Sequence, residues 1–132
     1  MVRLKEDRGA GKQDRWQKIA LNAAKQCGVA WLPKIEPVQT LKDFLAVRRA
    51  FGALFVCSLD EIARPMGEAI RAVKARPVSS VGVLVGPEGD FSAAEMESIR
   101  AAGAISVSLG GSVLRTETAA IYALSVLRYE FL

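Results

Sequence analysis

Histidine is absent from the 132-residue sequence, and cysteine occurs only twice, at Cys27 and Cys57. Zinc and most transition metals bind sets of imidazole and thiolate ligands, which two distant cysteines do not supply. Without imidazole, any general base must also be another kind of side chain. We therefore expect no metal site and exclude the enzyme classes that depend on histidine.

Long hydrophobic runs are lacking as well. The longest continuous apolar stretch, residues 51–57, is far shorter than the roughly 20 residues of a membrane-spanning helix. No apolar signal segment follows the charged residues 3–8. We expect a cytoplasmic protein with no membrane association, whose two cysteines are reduced and pack as small apolar residues.

Charge of one sign is only slightly in excess, since 18 Lys and Arg face 14 Asp and Glu for a net charge of +4. This balance weakly favours a polyanionic partner such as nucleic acid. Basic and acidic residues alternate along the chain, however, and this is also typical of an ordinary solvated surface.

The N-terminal segment is charged and glycine-containing, and it predicts a flexible arm over residues 1–13 followed by one folded domain over residues 14–132. Apolar residues then recur at helical spacing from near Asp14 to Gly28, where a helix is expected to end. Apolar residues 29–32 predict a short strand.

Thr40 is expected to cap a helix that reaches about Ala50. Beyond it, three apolar runs alternate with helical patterns, over residues 53–57, 81–85 and 105–109. Runs that are apolar throughout indicate strands buried on both faces, so we predict an α/β fold with a parallel sheet and helices on both faces. Ligands bind at the carboxyl ends of such strands, where two glycine-rich segments fall.

The first of these segments contains Gly86 and Gly89 on either side of Pro87 and Glu88. Its bare backbone suits close approach to an adenine or a carboxylate. It lacks the residues of a phosphate loop and the spacing of a dinucleotide fingerprint. The alternative is a sharp strand-to-helix connection without a ligand.

The second segment leads into the last helix with Arg115 and Glu117 beside Thr116 and Thr118. Free backbone N–H groups at a helix start favour an anionic or electron-rich ligand. The alternative is a capped terminus in which Arg115 pairs with Glu117 or Glu88 on the surface. Spacing does not choose between them.

The last helix is apolar around nearly its whole circumference from Ala119 to Leu132. One sheet cannot bury all of this surface, so we predict a homodimer that uses the helix. The alternative is a terminal helix buried within one chain.

Three blocks of sequence resemble the RsmE family of 16S ribosomal RNA uridine-N3 methyltransferases, which belongs to the SPOUT superfamily. In order, they cover residues 15–26, residues 83–92 with Glu95, and residues 109–119. The second and third coincide with the two glycine-rich segments. The resemblance covers nearly the whole chain.

This resemblance implies a SPOUT fold with a C-terminal trefoil knot, and an S-adenosylmethionine donor bound in the knotted loops at a dimer interface. It implies no metal. One wall of the donor site would contain Gly86, Glu88 and Gly89. The adenosine would be held by Leu109, Gly110, Leu114, Thr118 and Ala119.

The implied reaction is methylation of uridine N3 in small-subunit ribosomal RNA. Arg115 is the expected catalytic residue, since a guanidinium can stabilise negative charge that spreads onto the ring carbonyls once the N3 proton is lost. Glu117 would position Arg115 or help to move the proton.

The sequence departs from the family at three points. The N-terminal RNA-binding barrel and first strand–helix unit do not precede Arg15, Val29 stands where an arginine is common, and Asp90 stands where glycine is frequent. We therefore expect an N-terminally truncated methyltransferase domain. The alternatives are a non-catalytic donor-binding or dimerisation fragment of such an enzyme and, more distantly, an unrelated nucleotide-binding domain.

Overall fold

The computed structural model describes residues 7–47 and 51–132. These residues belong to two compact units, Met1–Thr40 and Leu41–Leu132. No helix within the described ranges is both long and apolar enough to cross a membrane.

The first unit contains helix α1 (Asp7–Cys27) and the extended segment that follows it. The helix ends at Gly28, as predicted, because its φ of 65° is in the left-handed region that favours glycine. It begins seven residues earlier than the predicted start near Asp14, so residues 7–13 are helical and not part of the expected arm. Four of these seven residues, Arg8, Ala10, Lys12 and Gln13, are of types with good helix propensity. Residues 1–6 lie outside the described part.

Two predictions for this unit are wrong. Residues 29–32 form no strand, because they are exposed and the chain beyond them hydrogen bonds to a side chain of α1. Gln17 donates to the Pro33 carbonyl and accepts from the Ile35 amide, at 3.2 and 3.1 Å. Cys27 is exposed and not a core residue.

The second unit contains the remaining elements. They are α2 (Leu41–Val47), β1 (Ala53–Cys57), β2 (Arg64–Pro65), α3 (Met66–Lys74), β3 (Val81–Leu84), α4 (Ala93–Ala101), β4 (Ile105–Ser108) and α5 (Thr116–Phe131). The helix predicted to reach Ala50 is described only to Val47, since residues 48–50 lie outside the described ranges. Strand β2, two exposed residues at the sheet edge, was not predicted.

The strands form one parallel sheet in the order β2-β4-β1-β3. Side chains of β1 alternate between two cores, because successive residues of a strand point to opposite faces. Phe55 packs with residues of α3 and α5 such as Ile70 and Ala123. Leu54 and Val56 pack with Met96 and Ile99 of α4, and α2 covers the same face. This confirms the predicted parallel sheet with helices on both faces.

Candidate functional site

A pocket of about 280 Å³ lies at the carboxyl ends of β1, β3 and β4. This volume is close to the lower limit of roughly 300 Å³ for pockets that bind small molecules. Its lining comes from three segments, residues 57–59, residues 85–90 without 89, and residues 109–119 without 111, 117 and 118. The two glycine-rich segments predicted to share a site therefore do so.

The segment after β3 is a tight turn with little freedom. The Asp90 amide donates to the Pro87 carbonyl at 2.8 Å, and Asp90 has a φ of 59°. Its carboxylate accepts a hydrogen bond from the Phe91 amide at 2.8 Å, which stabilises this conformation. A Cβ on Gly86 would lie 2.6 Å from the Asp90 carboxylate, so this position requires glycine.

Helix α4 holds the end of this turn through a capping box. The Glu95 amide donates to Ser92 Oγ at 3.3 Å, and the Ser92 amide donates to Glu95 Oε2 at 2.9 Å. The bond from the Ser92 backbone, followed by that from its side chain, lowers the pKa of Glu95. The start of α4 thereby fixes the direction in which the chain leaves the pocket.

The segment after β4 is joined to the turn after β3 by one side chain. Thr116, the first residue of α5, donates through Oγ1 to the Gly86 carbonyl at 3.1 Å. Gly110 has a φ of 125°, which only glycine adopts readily. The hydrogen bond links two walls of the pocket that are thirty positions apart in sequence.

Arg115 occupies the N-cap position of α5 and lines the pocket. Its side chain makes no capping hydrogen bond, and among the described residues it forms no ion pair. The surface pairing of Arg115 with Glu117 or Glu88 is therefore not observed. The exposed guanidinium is free to contact a ligand.

The end of β1 supplies the third wall, which the sequence patterns did not predict. Ser58 is buried, and its amide donates to the Val107 carbonyl of β4 at 3.0 Å. The following loop is held by Arg100, which pairs with Asp60 and donates to Ser106 Oγ at 3.2 Å. β1 lies between β3 and β4, so the rule that predicted the other two walls also applies to its own carboxyl end.

Cys57 is the half-buried residue at the end of β1 and also lines the pocket. Burial, together with the negative charge of Asp90, raises the pKa of its thiol to about 11. The side chain is accordingly a protonated, weakly nucleophilic thiol at neutral pH.

Most of the predicted site residues lie at the pocket. The lining includes Arg115 and six of the eight expected donor-binding residues, Gly86, Glu88, Leu109, Gly110, Leu114 and Ala119. The other three predicted residues, Gly89, Glu117 and Thr118, do not line it and are exposed. A Cβ on Gly89 would meet no atom within 4 Å.

The lining is chemically mixed. Leu109, Leu114 and Ala119 offer an apolar surface, and Glu88 and Arg115 place opposite charges at the same cavity. No cluster of three or more potential metal ligands occurs among the residues that the structure describes. The site therefore suits an organic ligand with a flat apolar part and charged groups.

The fold and the pocket define an α/β domain with a cavity at the carboxyl edge of a parallel sheet, where ligands bind in folds of this class. The chain belongs to the family described as RNA methyltransferase domain, whose sequence model matches residues 1–128. This confirms the predicted family.

Curated relatives agree in name. The chain is 32% identical over 132 residues to ribosomal RNA small subunit methyltransferase E of Bacillus subtilis. The match covers 98% of this chain and 52% of that protein. It is 35% identical over 115 residues to the protein of the same name in Mycobacterium bovis, with 83% and 42% covered. The chain thus spans about half the length of these relatives.

Solved structures share the fold. A methyltransferase of Legionella pneumophila with bound S-adenosylmethionine superposes with a TM-score of 0.85 at 31% identity, over 98% of this chain and 50% of that one. Ribosomal RNA small subunit methyltransferase E of Neisseria gonorrhoeae, bound to the same molecule, gives 0.82 at 26% identity, over 98% and 52%.

Proposed function

We propose that this chain is the donor-binding domain of an S-adenosylmethionine-dependent methyltransferase that acts on N3 of a uridine in small-subunit ribosomal RNA. The observation that carries the proposal is that the two segments that resemble the family line the same pocket. Family membership and the likeness to two structures that contain S-adenosylmethionine support it.

The pocket lining fits the donor. Leu109, Leu114 and Ala119 offer an apolar surface for the adenine ring, while Gly86 and Gly110 expose backbone groups for hydrogen bonds. When bound, S-adenosylmethionine supplies an electrophilic methyl group. No metal is needed for this transfer, because the sulfonium is already activated.

Arg115 is our candidate catalytic residue. Its guanidinium is exposed at the pocket and makes no ion pair in the described part of the chain. Loss of the N3 proton leaves negative charge on the uracil carbonyls, which two guanidinium N–H groups can stabilise. Glu117 is exposed on the first turn of α5, where it would position Arg115 or accept a proton.

The partner is small-subunit ribosomal RNA, in keeping with the names of the relatives and the net charge of +4. We also propose a cytoplasmic location, a homodimer formed through α5, and a trefoil knot around the pocket. The homodimer is supported by the large apolar side chains that α5 exposes, among them Ile121, Leu124 and Tyr129.

Isothermal titration with S-adenosylhomocysteine, paired with a methyl-transfer assay on small-subunit RNA, tests the site. Leu114→Ala should weaken binding about tenfold, because apolar contact with the ligand is lost. Arg115→Ala should leave binding within about threefold but lower transfer by roughly a hundredfold or more. Arg71→Ala, an exposed arginine of α3 outside the pocket, serves as the control for charge.

The results also separate the alternatives. If the parent chain does not bind S-adenosylhomocysteine, the donor site is wrong for this chain. Binding without methyl transfer, even with RNA in excess, would identify a donor-binding fragment. The match to about half the length of the relatives is consistent with such a fragment.

A further inference from the structure

Three charged side chains line the pocket, and two of them are acidic. They are Glu88, Asp90 and Arg115. None of the three forms an ion pair within the described ranges. Two carboxylates against one guanidinium leave the lining with an excess of one negative charge.

Asp90 is the more firmly held of the two acids. It is half-buried, whereas Glu88 is exposed. Its backbone is fixed by the hydrogen bond to Pro87, and its carboxylate accepts from Phe91 and lies close above Gly86. The negative charge therefore has a defined place at the pocket and is not carried on a mobile side chain.

The negative charge of Asp90 also acts at the end of β1, the strand that pairs with β3. Cys57 lies at the end of β1, and the pKa of its thiol is raised first by burial and then by Asp90. Asp90 and Cys57 come from different strand ends, yet both line the cavity. A ligand in this cavity would therefore lie close to the same charge.

We propose that Asp90 makes the pocket selective by charge, so that it binds the cationic donor S-adenosylmethionine in preference to the neutral product S-adenosylhomocysteine. This inference rests on the proposed function. Both molecules carry an ammonium and a carboxylate, but only the donor has a sulfonium, and it has one net positive charge. Transfer of the methyl group removes that charge and with it the attraction of Asp90, which favours release of the product.

The expected effect is moderate. Two unit charges roughly 6 Å apart change an equilibrium constant about threefold at the dielectric constant of water, and more where the site is partly buried. A cavity of about 280 Å³ keeps its ligand within reach of the lining, since the Debye length is about 8 Å at physiological ionic strength. Asp90 should therefore favour the donor over the product by about threefold to thirtyfold.

Asp90→Asn isolates the charge. Asparagine tolerates a positive φ, and its side-chain oxygen can still accept from the Phe91 amide, so the turn is retained. Glu97→Gln removes one charge from an exposed position of α4 outside the pocket and is the matched control. Asp90→Gly, which also permits the positive φ, checks that any effect does not come from the new amide.

The measurement is titration calorimetry with three ligands. They are S-adenosylmethionine, sinefungin, which has an ammonium in place of the methylsulfonium, and S-adenosylhomocysteine. In Asp90→Asn and Asp90→Gly, the first two should bind about threefold to thirtyfold more weakly, while the neutral product changes by less than about twofold. Glu97→Gln should bind all three as the parent does.

Two outcomes overturn the inference. Equal weakening of all three ligands would make Asp90 a structural residue, and unchanged ratios in both variants would mean that its charge does not reach the ligand. If the parent binds none of the ligands, the proposed function fails as well, so the two failures are distinguishable.

The thiol of Cys57 gives a second readout that needs no ligand. In a Cys27→Ser background, the pH at which Cys57 becomes reactive towards iodoacetamide reports its pKa of about 11. Asp90→Asn should lower this pH, whereas Glu97→Gln should not. An unchanged profile would contradict an effect of the Asp90 charge at the end of β1.

Discussion

Thr116 and Gly86 show how a single hydrogen bond can hold a pocket together. Thr116 is half-buried at the start of α5, and the carbonyl that it contacts belongs to Gly86, the second residue after β3. The bond joins segments that are remote in sequence, so it stabilises tertiary structure and not one helix. Hydrogen bonds of this kind contribute about 1 kcal/mol, and an unsatisfied buried carbonyl costs more.

Thr116→Val should therefore lower the free energy of unfolding by about 1 to 2 kcal/mol, because it keeps the shape of the side chain and removes only the donor. Urea denaturation measures this change. Ser125→Ala is the control, since Ser125 donates to the Ile121 carbonyl of its own helix on an exposed surface and should matter little. If the two variants lose equal stability, the hydrogen bond between the pocket walls contributes no more than one within a helix.

Asp90 shows what residue identity alone conveys. An aspartate after Gly89 is compatible with a turn. Its positive φ and its position at the cavity depend on the tertiary structure, because the turn is held between the end of β3 and the start of α4. In the sequence, Asp90 differs from the resembled family only in standing where glycine is frequent. The effect of its charge can be inferred only from the fold, which brings Asp90, Cys57 and Arg115 to the same cavity.

Among the elements, α4 has the clearest start signal. Ser92 and Glu95 have the three-residue spacing of a capping box in the sequence, and both of its hydrogen bonds are present in the structure. The contacts need the ionised form of Glu95 and lower the pKa of its carboxyl. Because the folded-state pKa is below that of the unfolded chain, the stabilisation is present above the unfolded value and is lost as the pH falls through the folded one.

In the variant Glu95→Gln, the melting temperature should fall less steeply as the pH is lowered into the acid range. Glutamine can still reach the Ser92 amide but does not titrate in this range. The melting temperatures of parent and variant should thus differ most near neutral pH and converge as the pH falls below the carboxyl range. Glu97→Gln, on the same helix but outside the capping box, should follow the parent at every pH, and a parallel offset for Glu95→Gln would refute the argument.

The strands were predictable because burial on both faces leaves a continuous apolar run. β1, β3 and β4 fall within the predicted segments, and each ends within one residue of its predicted end. β2 has no such signal, since Arg64 and Pro65 are exposed at the edge of the sheet. The loop after β1 was missed as a pocket wall for a similar reason, because Ser58 and Leu59 carry no glycine pattern and only the strand order brings them to the site.

At the scale of the whole molecule, the path of the chain is the least predictable feature. The spacing of hydrophobic residues indicates which faces of helices and strands are buried. It contains no information on whether the chain passes through one of its own loops, so the trefoil knot remains a prediction from family resemblance. The pocket lies wholly within the unit Leu41–Leu132. The helix α1 lies in the other unit, and no described residue from 11 to 27 is buried there. The domain predicted over residues 14–132 likewise remains a prediction.

Helix α5 carries the prediction of assembly. Ala119, Ala123 and Leu127 are buried, and the last two belong to the core that α5 shares with the sheet. Ile121, Leu124 and Tyr129 are 67%, 57% and 87% exposed. One face of α5 is therefore packed, and large apolar side chains are exposed on its other faces. Such a surface in water favours association, and twofold symmetry lets the same surface serve both partners.

The double variant Ile121→Asp, Leu124→Asp should therefore be monomeric at concentrations where the parent is a dimer, as measured by sedimentation velocity. Two carboxylates buried in an interface without partners cost several kcal/mol, enough to dissociate a dimer of ordinary affinity. Ile62→Asp places a charge on an equally exposed isoleucine of the β1–β2 loop and should leave the dimer intact. A monomeric parent, or a double variant that still dimerises, would mean that α5 is not the interface. The apolar surface of this helix would then require another explanation.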